Sequence, residues 1–136
     1  MKVPLLDLQA QYRPLRDEIL AAVTRVADSQ RFIMGPEIAG LERELARMLE
    51  VEHAVAVSSG TDALLLAMMT IGIGAGDEVV TSTYSFFATA GAVVRVGARP
   101  ILVDIDPVTF NIDAAQAAAA ITRRTKAILQ IGRAHV

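Results

Sequence analysis

No cysteine and no tryptophan occur among the 136 residues, and four Phe and two Tyr are the whole aromatic content. Without thiols the chain has neither disulfides nor thiolate metal sites, and His53 and His135 alone could act as imidazole ligands, so no metal site is expected. Lysine is scarce too: Lys2 and Lys126 are the only two. Thirteen basic residues against fifteen acidic ones give a formal charge of −2, and no block of Lys or Arg stands out. That balance argues against nucleic acid and anionic membrane surfaces as partners. No uncharged apolar run reaches the roughly 18 residues of a membrane span. The opening Met1–Asp7 has too short an apolar stretch and too early an acid for a signal peptide, so a cytoplasmic location is expected.

What the chain has in quantity is small aliphatic residues. Its 53% hydrophobic content and mean hydropathy of +0.43 predict a core of Ala, Val, Ile, Leu and Met. They also predict buried helices or an uncovered interface. One stretch organises the rest: an apolar run Ala54–Val57, a polar turn Ser58-Ser59-Gly60-Thr61-Asp62, and an apolar run Ala63–Met69. The spacing predicts a strand buried on both faces, a tight turn and a buried helix. At a helix start the first N–H groups lack partners and the helix dipole is positive. Gly60 allows close approach to the backbone or a positive φ, and Ser58, Ser59 and Thr61 add hydroxyls, so a phosphate would fit there. Asp62 would repel that phosphate unless it points away or has its own partner. An ordinary helix cap by Ser59 or Thr61 fits the same residues equally well.

Elsewhere Met1–Gln11 reads as extended, and Leu15, Ile19, Ala22, Val23 and Val26 recur at helical spacing to about Asp28. Pro36 opens a second helix with a stripe of Ile38, Leu41, Leu45 and Met48. Gly72-Ile73-Gly74-Ala75-Gly76-Asp77 follows a helix and precedes a strand, the reverse of a dinucleotide-binding loop, and reads as a helix stop and turn. Strands are predicted at 78–81, 101–103 and 126–129, with a helix through Ala88, Ala90, Val93 and Val94 and another over 114–121 started by an Asp113–Gln116 capping pair. Asp104 and Asp106 read as turn-formers before Pro107. Alternating strands and helices predict an α/β fold, a three-layer α/β/α arrangement with a mostly parallel sheet. The turns after Val57, Thr81 and Val103 share the carboxyl edge, where such sheets bind ligands.

Three segments in order, Ser58-Ser59-Gly60-Thr61-Asp62-Ala63-Leu64, Gly74–Thr81 and Val103-Asp104-Ile105-Asp106-Pro107, give a chain that resembles the DegT/StrS family of pyridoxal-phosphate-dependent sugar aminotransferases, of fold type I. Val3–Leu8, Phe32–Glu37, Asn111-Ile112-Asp113 and Thr122–Ala127 match the family's amino-terminal third as well. The resemblance implies that Gly60, Thr61 and Asp62 hold the phosphate of pyridoxal 5'-phosphate and that Phe86 lies against its pyridine ring. Tyr84 and Phe87 are the neighbours confusable with Phe86, and core packing is expected of Phe87. The resemblance further implies substrate contacts from Phe32 and Gly35, a nucleotide-sugar substrate with an amino-acid donor, glutamate by preference, and a homodimer.

Transamination needs a lysine amine that carries the coenzyme and a carboxylate facing the pyridine nitrogen. Neither Lys2 nor Lys126 stands at the family's position for that lysine, so no catalytic residue is expected in this chain. His135 does not match the family's histidine. The expected organisation is an amino-terminal arm and first helix over 1–35, an incomplete large coenzyme-binding domain over 36–129, and a non-native tail over 130–136. The chain is then an inactive piece of an aminotransferase. The alternatives are a non-catalytic phosphate-binding or interaction domain, or a relative that uses the same coenzyme for sugar dehydration. A downstream Ser-x-x-x-x-Lys segment would favour the aminotransferase.

Overall fold

The computed structural model describes residues 6–131. The chain divides into two compact units, Met1–Ala56 and Val57–Val136. Expectations for Met1–Leu5, Lys2 among them, and for 132–136, including His135, fall outside the described residues.

The first unit holds two helices, α1 (Leu8–Ser29) and α2 (Pro36–Met48). The extended reading of the opening segment fails from Leu8 onward, because the Asp7 carboxylate accepts the Ala10 N–H at 3.0 Å and starts the helix early. Asp7 is thus an N-cap that satisfies one orphan donor. Pro14 lies inside α1. Arg25 on α1 meets Glu37 on α2 at 3.6 Å. Pro36 is the first residue of α2, as its fixed φ and missing N–H favour. Neither helix buries a side chain fully.

The second unit contains α3 (Gly60–Thr70), β1 (Glu78–Ser82), α4 (Phe87–Arg95), β2 (Arg99–Val103), α5 (Ala114–Ala119) and β3 (Thr125–Leu129). The sheet order is β2-β1-β3, and β1 pairs in parallel with both neighbours. One face packs Val79 with Leu65 and Met68 of α3 and Ala92 and Val93 of α4. The other packs Val80 and Val103 against Ala117 of α5. Successive residues of β1 thus feed opposite cores, the pattern of a strand covered on both sides.

Two glycines stop the helices that cover the first face. Gly72 (φ +73°) donates to Met69 and the following Ile73 N–H reaches Met68; Gly97 (φ +84°) and Ala98 repeat this against Val94 and Val93. Both are left-handed caps that consume otherwise orphaned carbonyls. Pro100 sits on the edge strand β2. Because the Arg99 N–H donates inward to the Asp77 carbonyl at 2.9 Å, the next residue, Pro100, turns its donor-less nitrogen to the outer edge.

At the start of β1 the Glu78 side chain is buried, accepting from the Thr122 hydroxyl at 2.6 Å and meeting Arg124 at 2.7 Å. Arg99 stands 4.0 Å away. The Thr122 hydroxyl first, then the two guanidiniums, hold its carboxyl below the usual range against the opposing effect of burial.

Two sequence expectations are corrected here. Ala54–Val57 is not a strand and is not buried; Val55 is 76% exposed. A strand exists only through a ladder partner, and among the described residues none runs beside it. The helix behind the turn is likewise buried on one side only, since Leu66 and Met69 face outward.

Candidate functional site

The turn before α3 is built around Asp62. Ser59 is the N-cap: its hydroxyl oxygen accepts the Asp62 N–H at 3.1 Å, and its carbonyl accepts the Ala63 N–H at 3.0 Å. The Ser59 hydroxyl then donates to the Asp62 carboxylate at 2.9 Å, and the Ser58 hydroxyl donates to the same oxygen. These bonds, that from Ser58 foremost, hold the Asp62 carboxyl below its ordinary range, with Arg95 contributing at longer range. Asp62 therefore has its own partners. The serine hydroxyl protons, expected to be available to a guest, are committed to Asp62 instead.

That leaves the first two helical N–H groups, Gly60 and Thr61. Among the described residues neither has an acceptor. Gly60 is not in the left-handed region, so φ does not require glycine there. A β-carbon at Gly60 would meet nothing within 4 Å, so what its absence provides is open space over the helix start.

Gly60 and Thr61 line an open cleft of about 370 Å³ together with Leu64, Phe86, Ala88, Thr89 and Ile131. Phe86 is the N-cap residue of α4 with no side-chain cap, and its ring is 80% exposed. Phe87, expected in the core, is instead 84% exposed, its ring lying along the helix beside Gly91. Small Ala92 and Val93 fill the space under α4, so this first-turn ring is left outside. Tyr84 packs against Phe110, ring centroids 6.3 Å apart. Thr89, which the sequence reading passed over, is 3% exposed and hydrogen-bonded to Ser85 at 2.7 Å. Its position three residues after Phe86, on the inward side of a short helix, was the available signal.

Phe32 and Gly35 belong to the first unit. Phe32 is exposed beside Ala22, Val23, Val26 and Ala27. Gly35 is the buried N-cap of α2, where a β-carbon would stand 2.5 Å from the Arg31 carbonyl oxygen. Asp106 accepts from the Val108 and Thr109 N–H groups and the Thr109 hydroxyl at 2.7–3.0 Å, and Asp113 caps α5 through the Ala115 and Gln116 N–H groups. Both act as the turn and cap residues their spacing predicts. No helix among the described residues is long and apolar enough to cross a membrane.

The model of the DegT/DnrJ/EryC1/StrS aminotransferase family matches residues 14–134. The chain belongs to this family. Among its relatives is the UDP-N-acetyl-3-dehydro-alpha-D-glucosamine 3-aminotransferase of Acidithiobacillus ferrooxidans, 46% identical over 95% of this chain and 35% of that protein. Among solved structures, S. venezuelae DesV superposes with a TM-score of 0.89 at 45% identity, covering 95% of this chain and 35% of that one. NtdA from Bacillus subtilis, solved with bound cofactor PMP, gives 0.88 at 38% identity, covering 95% and 30%. The parallel sheet with flanking helices is thus the aminotransferase fold. The chain spans about a third of the length of these relatives.

Proposed function

We propose that this family member is the coenzyme-phosphate-binding part of a pyridoxal-phosphate-dependent aminotransferase. The full protein would move an amino group from an amino-acid donor, such as glutamate, to a keto sugar carried on a nucleotide. One observation carries this reading: two N–H groups at the start of α3, without an acceptor among the described residues, share a cleft with an exposed phenyl ring. A phosphate bearing about −1.5 to −2 charges is suited to such a helix start. Gly60 and Thr61 supply the backbone donors and the Thr61 hydroxyl a further one, while Asp62, tied to Ser58 and Ser59, sets the shape of the turn. Phe86 offers a flat apolar face to the pyridine ring. The coenzyme, when bound, supplies the electron sink for breaking bonds at the amino carbon.

Phe32 and Gly35 are assigned to substrate contact on family resemblance, which also suggests a homodimeric assembly; the cytoplasmic location rests on the opening segment not reading as a signal peptide. The lysine that transamination requires lies elsewhere in the full protein. Of the two lysines here, Lys126 is an exposed side chain on edge strand β3. Borohydride reduction of the 136-residue chain with pyridoxal phosphate tests this, and no specific lysine adduct is expected by mass spectrometry. A stoichiometric adduct at Lys126 would overturn the assignment. Equilibrium binding of pyridoxal phosphate to the full-length protein tests the site itself, and a protein that does not bind the coenzyme sinks the reading.

A further inference from the structure

The exposed Phe86 ring raises the question of what aims it. With most of its surface in solvent and no side-chain cap at the start of α4, the ring's place depends on where its backbone carries it more than on packing. That backbone is spanned by one hydroxyl bridge: Ser85, just before Phe86, and Thr89, three residues after it, pair at 2.7 Å. The Thr89 N–H also donates to the Phe86 carbonyl at 3.0 Å. Thr89 is anchored, being buried in the layer that packs on β1, and it lines the same cleft as Phe86, Gly60 and Thr61.

We infer that Ser85 and Thr89 are positioning residues for the coenzyme ring. Their hydroxyl bridge holds the Phe86 backbone so that the phenyl face is presented before the ligand arrives. The inference rests on the coenzyme-binding reading above. A ring already held loses less freedom on binding, so the bridge acts on affinity and on ring geometry. A helix-start bond with only a structural role would act on stability alone.

The test uses the full-length protein in four forms: wild type, Thr89→Val, Thr89→Ser and Ser85→Ala. Thr89→Val keeps the shape and removes the hydroxyl, Thr89→Ser restores it, and Ser85→Ala breaks the bridge from its other end. Pyridoxal phosphate affinity is measured by fluorescence titration, and the visible circular dichroism of the bound coenzyme reports how its ring is held. Thr89→Val and Ser85→Ala are each expected to weaken binding roughly three- to tenfold and to change the visible dichroic band, with Thr89→Ser close to wild type. In a Phe86→Ala background, Thr89→Val should have no further effect on affinity. Unchanged affinity and dichroism in the bridge-breaking variants, or a full additional loss in the Phe86→Ala background, would overturn the inference. If Thr89→Val does not fold, Ser85→Ala decides. Failure of the wild type to bind the coenzyme is a different result and removes the functional reading instead.

Discussion

Gly60→Ala separates a glycine kept for a ligand from a glycine kept for the fold. Gly60 is the first residue of α3, its φ is not positive, and an added β-carbon meets nothing within 4 Å. Alanine is the better helix residue by up to about 1 kcal/mol, less at a first position. The protein without coenzyme should therefore be as stable as wild type or slightly more so. Binding should move the other way. A methyl group over the helix start displaces a phosphate from at least one of the Gly60 and Thr61 N–H groups. A hydrogen bond to a charged group contributes about 1.5–3 kcal/mol, so the dissociation constant should rise roughly 10- to 150-fold. The assay is a pair of measurements on one preparation of full-length protein: a urea unfolding midpoint without coenzyme and a coenzyme titration. Wild-type affinity would refute the phosphate cradle. Loss of stability would show instead that the fold itself excludes a side chain there.

The remaining predictions concern the parts that hold this site. Ser59→Ala removes the α3 cap and should cost about 1 kcal/mol in urea unfolding, whereas Ser59→Gly should cost only a few tenths; equal losses would deny Ser59 its capping role. Gly97→Ala forces a β-carbon into a φ of +84°, 3.5 Å from the Ala75 nitrogen, and should cost about 1–2 kcal/mol; a neutral result would remove the argument for the left-handed cap. Glu78 has its pKa lowered in the folded state. Its stabilising contribution is thus complete above its ordinary value of 4.5 and lost as pH falls through the lower folded value. Glu78→Gln should accordingly flatten the acid limb of a stability–pH curve, and an unchanged acid limb would count against it. With much of α1 and α2 and the outer side of α3 apolar and exposed, the 136-residue chain should self-associate in sedimentation velocity. A sharp, reversible monomeric unfolding transition would contradict that.

Local chemistry was the legible part of the sequence. Asp113 with Gln116, Pro36, Gly72 and Gly97 all sit at helix ends where near-neighbour hydrogen bonding places them. The runs predicted as strands at 78–81, 101–103 and 126–129 are strands, because each finds a partner within the same unit. Ala54–Val57 carries a similar pattern and is no strand, since pairing is a property of two segments and the pattern describes one. The early start of α1 was not legible because Pro14, a residue that disfavours helix interiors, stands after the Asp7 cap that starts the helix. At the site, Gly60, Thr61 and Phe86 share a cleft, but the fate of the serine hydroxyls could not be read from spacing. Asp62 claims them through side-chain hydrogen bonds that depend on rotamers. Phe87 was misplaced because Ala92 and Val93 fill the layer under α4, and the apolar character of a first-turn ring does not show whether it reaches that layer.

Pro100 makes the two borders of the sheet unequal. Along β2 it interrupts the outward row of donors, so a strand arriving there would forgo a rung, whereas β3 contains no proline and its one register irregularity falls at its start, between Thr125 and Ala127. The β2 border is thus the less hospitable of the two to a further strand. A strand added to this sheet would pair more fully along β3 than along β2.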